Sequence, residues 1–234
     1  MARRPLNLER TRVRGRAHRL ILSRYPTVGV FDDIAETEAE LRLAFALEDL
    51  TLRAPTNALA ALPEGSVVTG PTASIVMAAF LHVAETGGRF HGPELGAWYA
   101  ALDLRTAMEE TIHHNHQRLA ASAGGFPARL QLRELVVTLD ADLLDVTAGA
   151  PPELFDPDDY APAQAFARAR RWPYADPGED GFLYESVRRP AGRCIVLFRP
   201  AAVPRPVRQA DHFEYVWDAK GDLTVLKLTN VARR

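Results

Sequence analysis

The second half of this chain is dominated by paired apolar runs, and they restrict the folds open to it. Residues 181–200 read GFLYESVRRPAGRCIVLFRP. FLY and CIVLF flank a turn built around Pro190 and Gly192, the pattern of a β-hairpin. A second pair follows, FEYVW (213–217) and LTVLKL (223–228), joined across Lys220-Gly221-Asp222. Upstream, Leu130, Leu132, Leu135, Val137 and Leu139 alternate as strand residues do, with a phase slip near Glu134 that marks a β-bulge. The segments HRLILS (18–23) and AWYAA (97–101) supply two further strands.

Helical signals come earlier. Thr37-Glu38-Ala39-Glu40 is a capping box and predicts a helix whose Leu43, Leu47 and Leu50 share one face. Pro71 and Thr72 open a second helix, with Ile75, Ala79 and Val83 at helical spacing. Asp103 caps a third, with Leu104, Met108 and Ile112 inward and Gly124-Gly125 at its end. Loops are expected over 51–70, 87–92 and 147–162, and a short helix through Ala165 and Ala169. Helices that cluster early and strands that cluster late predict an α+β fold rather than alternating α/β. No GxGxxG or Walker sequence argues for a nucleotide-binding α/β sheet.

At 234 residues the chain is long enough to bury a real core, and with 47% hydrophobic and 25% charged residues it has a globular composition. No internal repeat or low-complexity linker divides it. The expected partition is a basic arm, 1–17, then one domain, 18–234, with 27–86 as a helical elaboration within it. The net charge of −2 argues against whole-surface attraction to nucleic acid. Arginines do crowd the N-terminus (Arg3, Arg4, Arg10, Arg12, Arg14, Arg16, Arg19 and Arg24), so a solvated basic tail or a nucleic-acid contact are the two readings of that region. A single cysteine, Cys194, excludes an intrachain disulfide and suits a reducing cytoplasm. No apolar run reaches the roughly 18 residues of a membrane span.

Three side-chain groups invite chemistry. His113, His114 and His116 suggest a metal site, with Glu110 and His113, and His113 and His116, at i,i+3 on the third helix, but no HExxH and no second ligand pair accompany them, so no metal is expected. Cys194 lies inside CIVLF and reads as a buried, inert thiol. The third group is dispersed: Arg19 in the first strand, Arg89 before the strand with Trp98 and Tyr99, Glu109 at the border of the third helix's apolar face, and Ser186 at the hairpin's polar end. An arginine in an apolar run calls for an anion, either a protein carboxylate or a ligand phosphate. Taken singly, Glu109 reads most simply as a surface carboxylate, Tyr99 as core and Ser186 as a strand-end hydroxyl.

In order along the chain, HRLILSRYP (18–26), GGRFHGPELGAWYAALDLRTAMEETIHH (87–114), DPDDYAPAQA (156–165) and GFLYESVRRPAGRCIVLFRP (181–200) resemble the RES-domain family, named for an arginine, a glutamate and a serine. The resemblance implies a compact core of antiparallel strands with flanking helices, similar to ADP-ribosyltransferase toxins, with a cleft for NAD⁺ as substrate. It implies the toxin of a type II toxin–antitoxin module that depletes NAD⁺ by cutting its nicotinamide–ribose bond, with water or phosphate as acceptor. The partner implied is an Xre-type helix-turn-helix antitoxin, which would also carry the DNA contact. An ADP-ribosyltransferase acting on a protein and a non-enzymatic nucleic-acid binder using the arginine arm are the alternatives. Carried over by position, the catalytic set is Arg19, Glu109 and Ser186, and the NAD⁺-binding set is Arg19, Arg89, Tyr99 and Ser186. Glu185 and His91 depart from the family's usual small residues.

Overall fold

The computed structural model describes residues 8–24, 32, 35–49 and 58–229. Arg3, Arg4, Leu50 and residues 51–57 of the expected loop lie outside them. Among the described residues seven strands run in the order β1-β2-β5-β4-β3-β6-β7, and β1 also pairs with β3. These are β1 (Arg10–Leu22), β2 (Trp98–Ala101), β3 (Ala128–Asp145), β4 (Gly181–Glu185), β5 (Arg193–Leu197), β6 (Arg208–Trp217) and β7 (Leu223–Leu228). The first five therefore pair in a ring, from which β6 and β7 extend. All pairings are antiparallel except the short parallel contact of β3 with β4 at Leu144↔Phe182 and Asp145↔Leu183. Among the described residues five helices complete the α+β fold: α1 (Glu38–Asp49), α2 (Ala58–Ala61), α3 (Ala73–Leu81), α4 (Leu104–Ala120) and α5 (Ala161–Arg168).

Both predicted hairpins form, β4 with β5 and β6 with β7. The predicted bulge is there too: the β3–β6 register shifts between Arg133 and Leu135. Successive residues of the sheet alternate between two cores, as the pleat requires. Leu183, Ile195 and Leu197 join Trp98, Phe80, Phe45 and Leu41 on one side. Phe182, Tyr184, Cys194 and Val196 join Phe90, Phe213 and Trp217 on the other. The site lies on the second side, under α4.

Three expectations change. The first strand starts at Arg10, not at His18, and runs the length of β3 from Arg10↔Leu144 to Leu22↔Leu132. Arg10 to Arg16 thus belong to the sheet rather than to a solvated arm. Val13 and Ala17 are buried while Arg12 and Arg14 each donate from Nε to Asp140 Oδ1, at 2.6 and 3.0 Å. Those two bonds draw the Asp140 carboxyl down to about 2. The capping box of α1 forms as read, but Leu43 and Leu47 are 62% and 57% exposed, and Leu41 and Phe45 are the buried pair. In α3 the fully buried face is Val76, Met77 and Phe80, with Ile75 and Ala79 on its flank.

Candidate active site

A cleft of about 940 Å³ opens between the ends of β1 and β2, one flank of α4, the turn at 87–91 and the segment 157–164. That is the size of a pocket for a small molecule or nucleotide, roughly 300–1,000 Å³. Its α4 wall is Ala107, Glu110, Thr111, His114, Gln117 and Arg118, a single helical stripe. Asp103 starts this helix by accepting hydrogen bonds from Thr106 N at 2.9 Å and Thr106 Oγ1 at 2.7 Å. The cap fixes where the helix begins, and so which residues the stripe presents.

Glu110, not Glu109, is the carboxylate on this wall. Leu104, Met108 and Ile112 do pack inward. An apolar helical stripe has two flanks, however. At about 100° per residue, Glu109 borders one and the cleft opens along the other. Glu109 instead lies near the buried phenol of Tyr215, which burial first, and then this carboxylate, push up to about 12. The helical spacing had brought Glu110 into view only as a partner for His113.

Ser186 is 8% exposed and stands behind Glu110, where its hydroxyl donates to Oε1 at 2.6 Å. The same Oγ accepts from the backbone N–H groups of Arg188 and Arg189, at 3.1 and 3.0 Å. Two donors thus leave the hydroxyl proton directed at the carboxylate. The hairpin's polar end exists because β4 stops at Glu185, whose side chain is exposed, and the turn folds Ser186 under α4. Gly192 permits this approach, since a Cβ there would meet Thr106 Oγ1 at 2.7 Å.

Arg19 lines the cleft and donates from Nη1 to Tyr99 O at 3.0 Å, with its guanidinium 5.0 Å from the Trp98 ring centre. β1 and β2 pair only at His18↔Ala101, and Arg19 follows that pair directly. Among the described residues it has no carboxylate partner, and desolvation pulls it down to about 10. A desolvated cation of this kind is a ready anion site. Arg89 is also in the cleft wall but is tied down: Nη1 donates to Leu154 O at 3.0 Å and Asp156 O at 2.7 Å, and its guanidinium lies 4.6 Å from the Tyr160 ring centre. It anchors the segment that carries Tyr160.

Tyr99 accepts from Phe90 N at 2.9 Å, and its ring tilts against His91 at 5.6 Å. Burial pushes the Tyr99 phenol up and pulls His91 down to about 4. Both are neutral near pH 7. Cys194 and Tyr184 form part of the floor, and burial, then Glu110, push the thiol up. His113 and His116 do not line the cleft, and His116 stacks on Phe126 at 4.9 Å.

The structure therefore brings Arg19, Arg89, Tyr99 and, behind Glu110, Ser186 into one site, and leaves Glu109 outside it. His18, Tyr160 and Gln164 are cleft residues that motif reasoning did not single out, and His114 enters that reasoning only through the rejected metal cluster. Their signal was positional: His18 adjoins Arg19, and His114 stands one turn after Glu110.

Among solved structures, 94% of the chain aligns with 87% of a chain from the M. tuberculosis MbcT–MbcA toxin–antitoxin complex, at 15% identity and a TM-score of 0.43. Comparison with curated proteins finds no match. A model of the RES domain matches residues 66–218, more than half of the chain and all of the site except its β1 edge. The chain belongs to the RES-domain family.

Proposed function

We propose that this chain is the toxin of a type II toxin–antitoxin module and destroys NAD⁺ by cutting its nicotinamide–ribose bond. The observation that supports it best is Glu110, a carboxylate held by a buried serine in a cleft whose Arg19 has no anionic partner among the described residues. Breaking that bond expels neutral nicotinamide and leaves positive charge on the ribose. A fixed carboxylate stabilises that charge, or holds a ribose hydroxyl, as in glycoside cleavage. Because Ser186 already orients Glu110, little reorganisation is needed as charge develops.

Arg19 takes the diphosphate, for which a guanidinium offers forked donors. Arg89 contributes by holding the Tyr160 segment in place. Tyr99, neutral and aromatic, provides a face for the cationic nicotinamide ring. The partner is an Xre-type helix-turn-helix antitoxin that closes the cleft. Three of the β1 arginines are engaged within the chain, Arg12 and Arg14 with Asp140 and Arg10 with Glu179, which counts against a nucleic-acid contact through them.

The test is incubation of the purified chain with NAD⁺, with products followed by mass spectrometry. Free nicotinamide with ADP-ribose or its phosphate supports the proposal. Nicotinamide with ADP-ribose attached to a protein would instead indicate transfer, and no nicotinamide at all would reject both.

A further inference from the structure

The cleft holds a second carboxylate-oriented group, His18, which the mechanism above leaves unused. His18 lines the cleft, and its Nδ1 lies 2.5 Å from Glu134 Oε1. Glu134 sits at the β3 bulge, 4% exposed, and its other oxygen accepts from Asp211 N at 3.3 Å. The bulge predicted from the phase slip therefore turns a buried carboxylate toward β1. Such a carboxylate fixes an imidazole with the proton on Nδ1 and the lone pair on Nε2. Nε2 has no hydrogen-bond partner among the described residues.

The sheet register says where this ring stands. His18 pairs with Ala101, and Ala101 with Cys194. Cross-strand partners share a face of the pleat, and all three residues line the cleft. His18 thus ends a row that leads across the floor to Cys194, the thiol that feels the Glu110 carboxylate. Glu110 and the Glu134-held ring of His18 thus border one floor.

We propose that His18, oriented by Glu134, is the general base that activates a water molecule as acceptor, so that the chain is a hydrolase rather than a phosphorylase. This rests on the NAD⁺ reading above. A neutral hydroxyl has a proton to lose as it attacks, whereas inorganic phosphate is already an anion and needs cations instead. Of the cleft's buried arginines, Arg89 is tied to carbonyls and Arg19 is taken by the diphosphate. In the step, the water oxygen bonds to the ribose carbon as the carbon–nitrogen bond to nicotinamide breaks. The bonding pair leaves with nicotinamide, the water proton passes to Nε2, and the imidazolium later gives it to solvent. The products are ADP-ribose, nicotinamide and one proton.

The His18–Glu134 contact also ties β1 to β3, so the test needs a readout that a mere tie would not move. His18→Ala should lower kcat about a hundredfold with KM for NAD⁺ held within about twofold. Added imidazole should restore part of that rate, and should do nothing for Glu110→Gln. Glu134→Gln, which keeps an oxygen for Asp211 N but replaces the carboxylate facing Nδ1, should lower kcat with KM unchanged. Wild type in phosphate buffer should give ADP-ribose without its phosphate ester. Wild-type activity in His18→Ala, an inactive variant that imidazole fails to rescue, or a phosphate ester as main product would each overturn the assignment. Absence of NAD⁺ loss in the wild type would instead reject the parent proposal.

Discussion

Replacing Ser186 by alanine separates orientation of the carboxylate from its presence. The hydroxyl donates to Glu110 at 2.6 Å and accepts from two backbone N–H groups, at 3.1 and 3.0 Å. A hydrogen bond to a charged group contributes about 1.5–3 kcal/mol. If that bond is needed to hold Glu110 against the developing charge, its loss converts to a fall in kcat of about ten- to a hundredfold. The two N–H groups lose their acceptor, so stability should drop by about 1–3 kcal/mol as well. Ser186 stands behind Glu110 rather than in the cleft wall, so KM for NAD⁺ should barely move. Steady-state NAD⁺ turnover and urea melts of Ser186→Ala and Ser186→Thr would read all three quantities. The threonine hydroxyl should recover part of kcat. A kcat equal to wild type, or a loss confined to KM, would refute the orienting role.

Other consequences follow from the same geometry. Arg19→Ala should raise KM for NAD⁺ about tenfold or more while changing kcat less, because it removes a charged contact to the diphosphate rather than to the reacting atoms. Steady-state kinetics checks this, and an unchanged KM would make Arg19 a structural residue. His91 is held neutral by burial down to about pH 4, against an ordinary value of 6.5. Below pH 6.5 the unfolded chain gains a proton that the folded chain refuses, so stability should fall between pH 6.5 and 4 by at most about 3 kcal/mol and then level off. His91→Asn should flatten that limb in urea melts at pH 7 and 4.5. Gly96 donates its N–H to Phe80 O at 2.9 Å, and a Cβ on it would clash with Ala79 O. Gly96→Ala should therefore cost about 2–3 kcal/mol in the same assay.

What was legible in the sequence depended on how many signals agreed. The 181–200 hairpin carries apolar runs and a Pro-Gly turn together, and it forms as read. The bulge near Glu134 was visible as a break in alternation, but not its consequence, since only tertiary pairing shows that the freed carboxylate meets His18. The β1 extension had a signal that was passed over: Arg10, Arg12 and Arg14 alternate with Thr11, Val13 and Gly15 at period two. Clustered arginines look like a solvated arm until the facing Asp140 and Asp142 on β3 are known. The α1 face is ambiguous in the sequence because Leu41 with Phe45 and Leu43 with Leu47 are both i,i+4 apolar pairs, and spacing alone does not choose between them. Glu109 and Glu110 posed the same problem in a sharper form. Periodicity located the apolar stripe correctly but held no information about which flank faced the cleft.

That choice of flank decides which carboxylate meets the substrate. The most direct measurement is nicotinamide release from NAD⁺ by the wild type, Glu110→Gln and Glu109→Gln, with folding of each checked by thermal melting. The account predicts steady release by the wild type, a loss of at least about a hundredfold in Glu110→Gln and near-wild-type release by Glu109→Gln. Full activity in Glu110→Gln, or loss confined to Glu109→Gln, would contradict it.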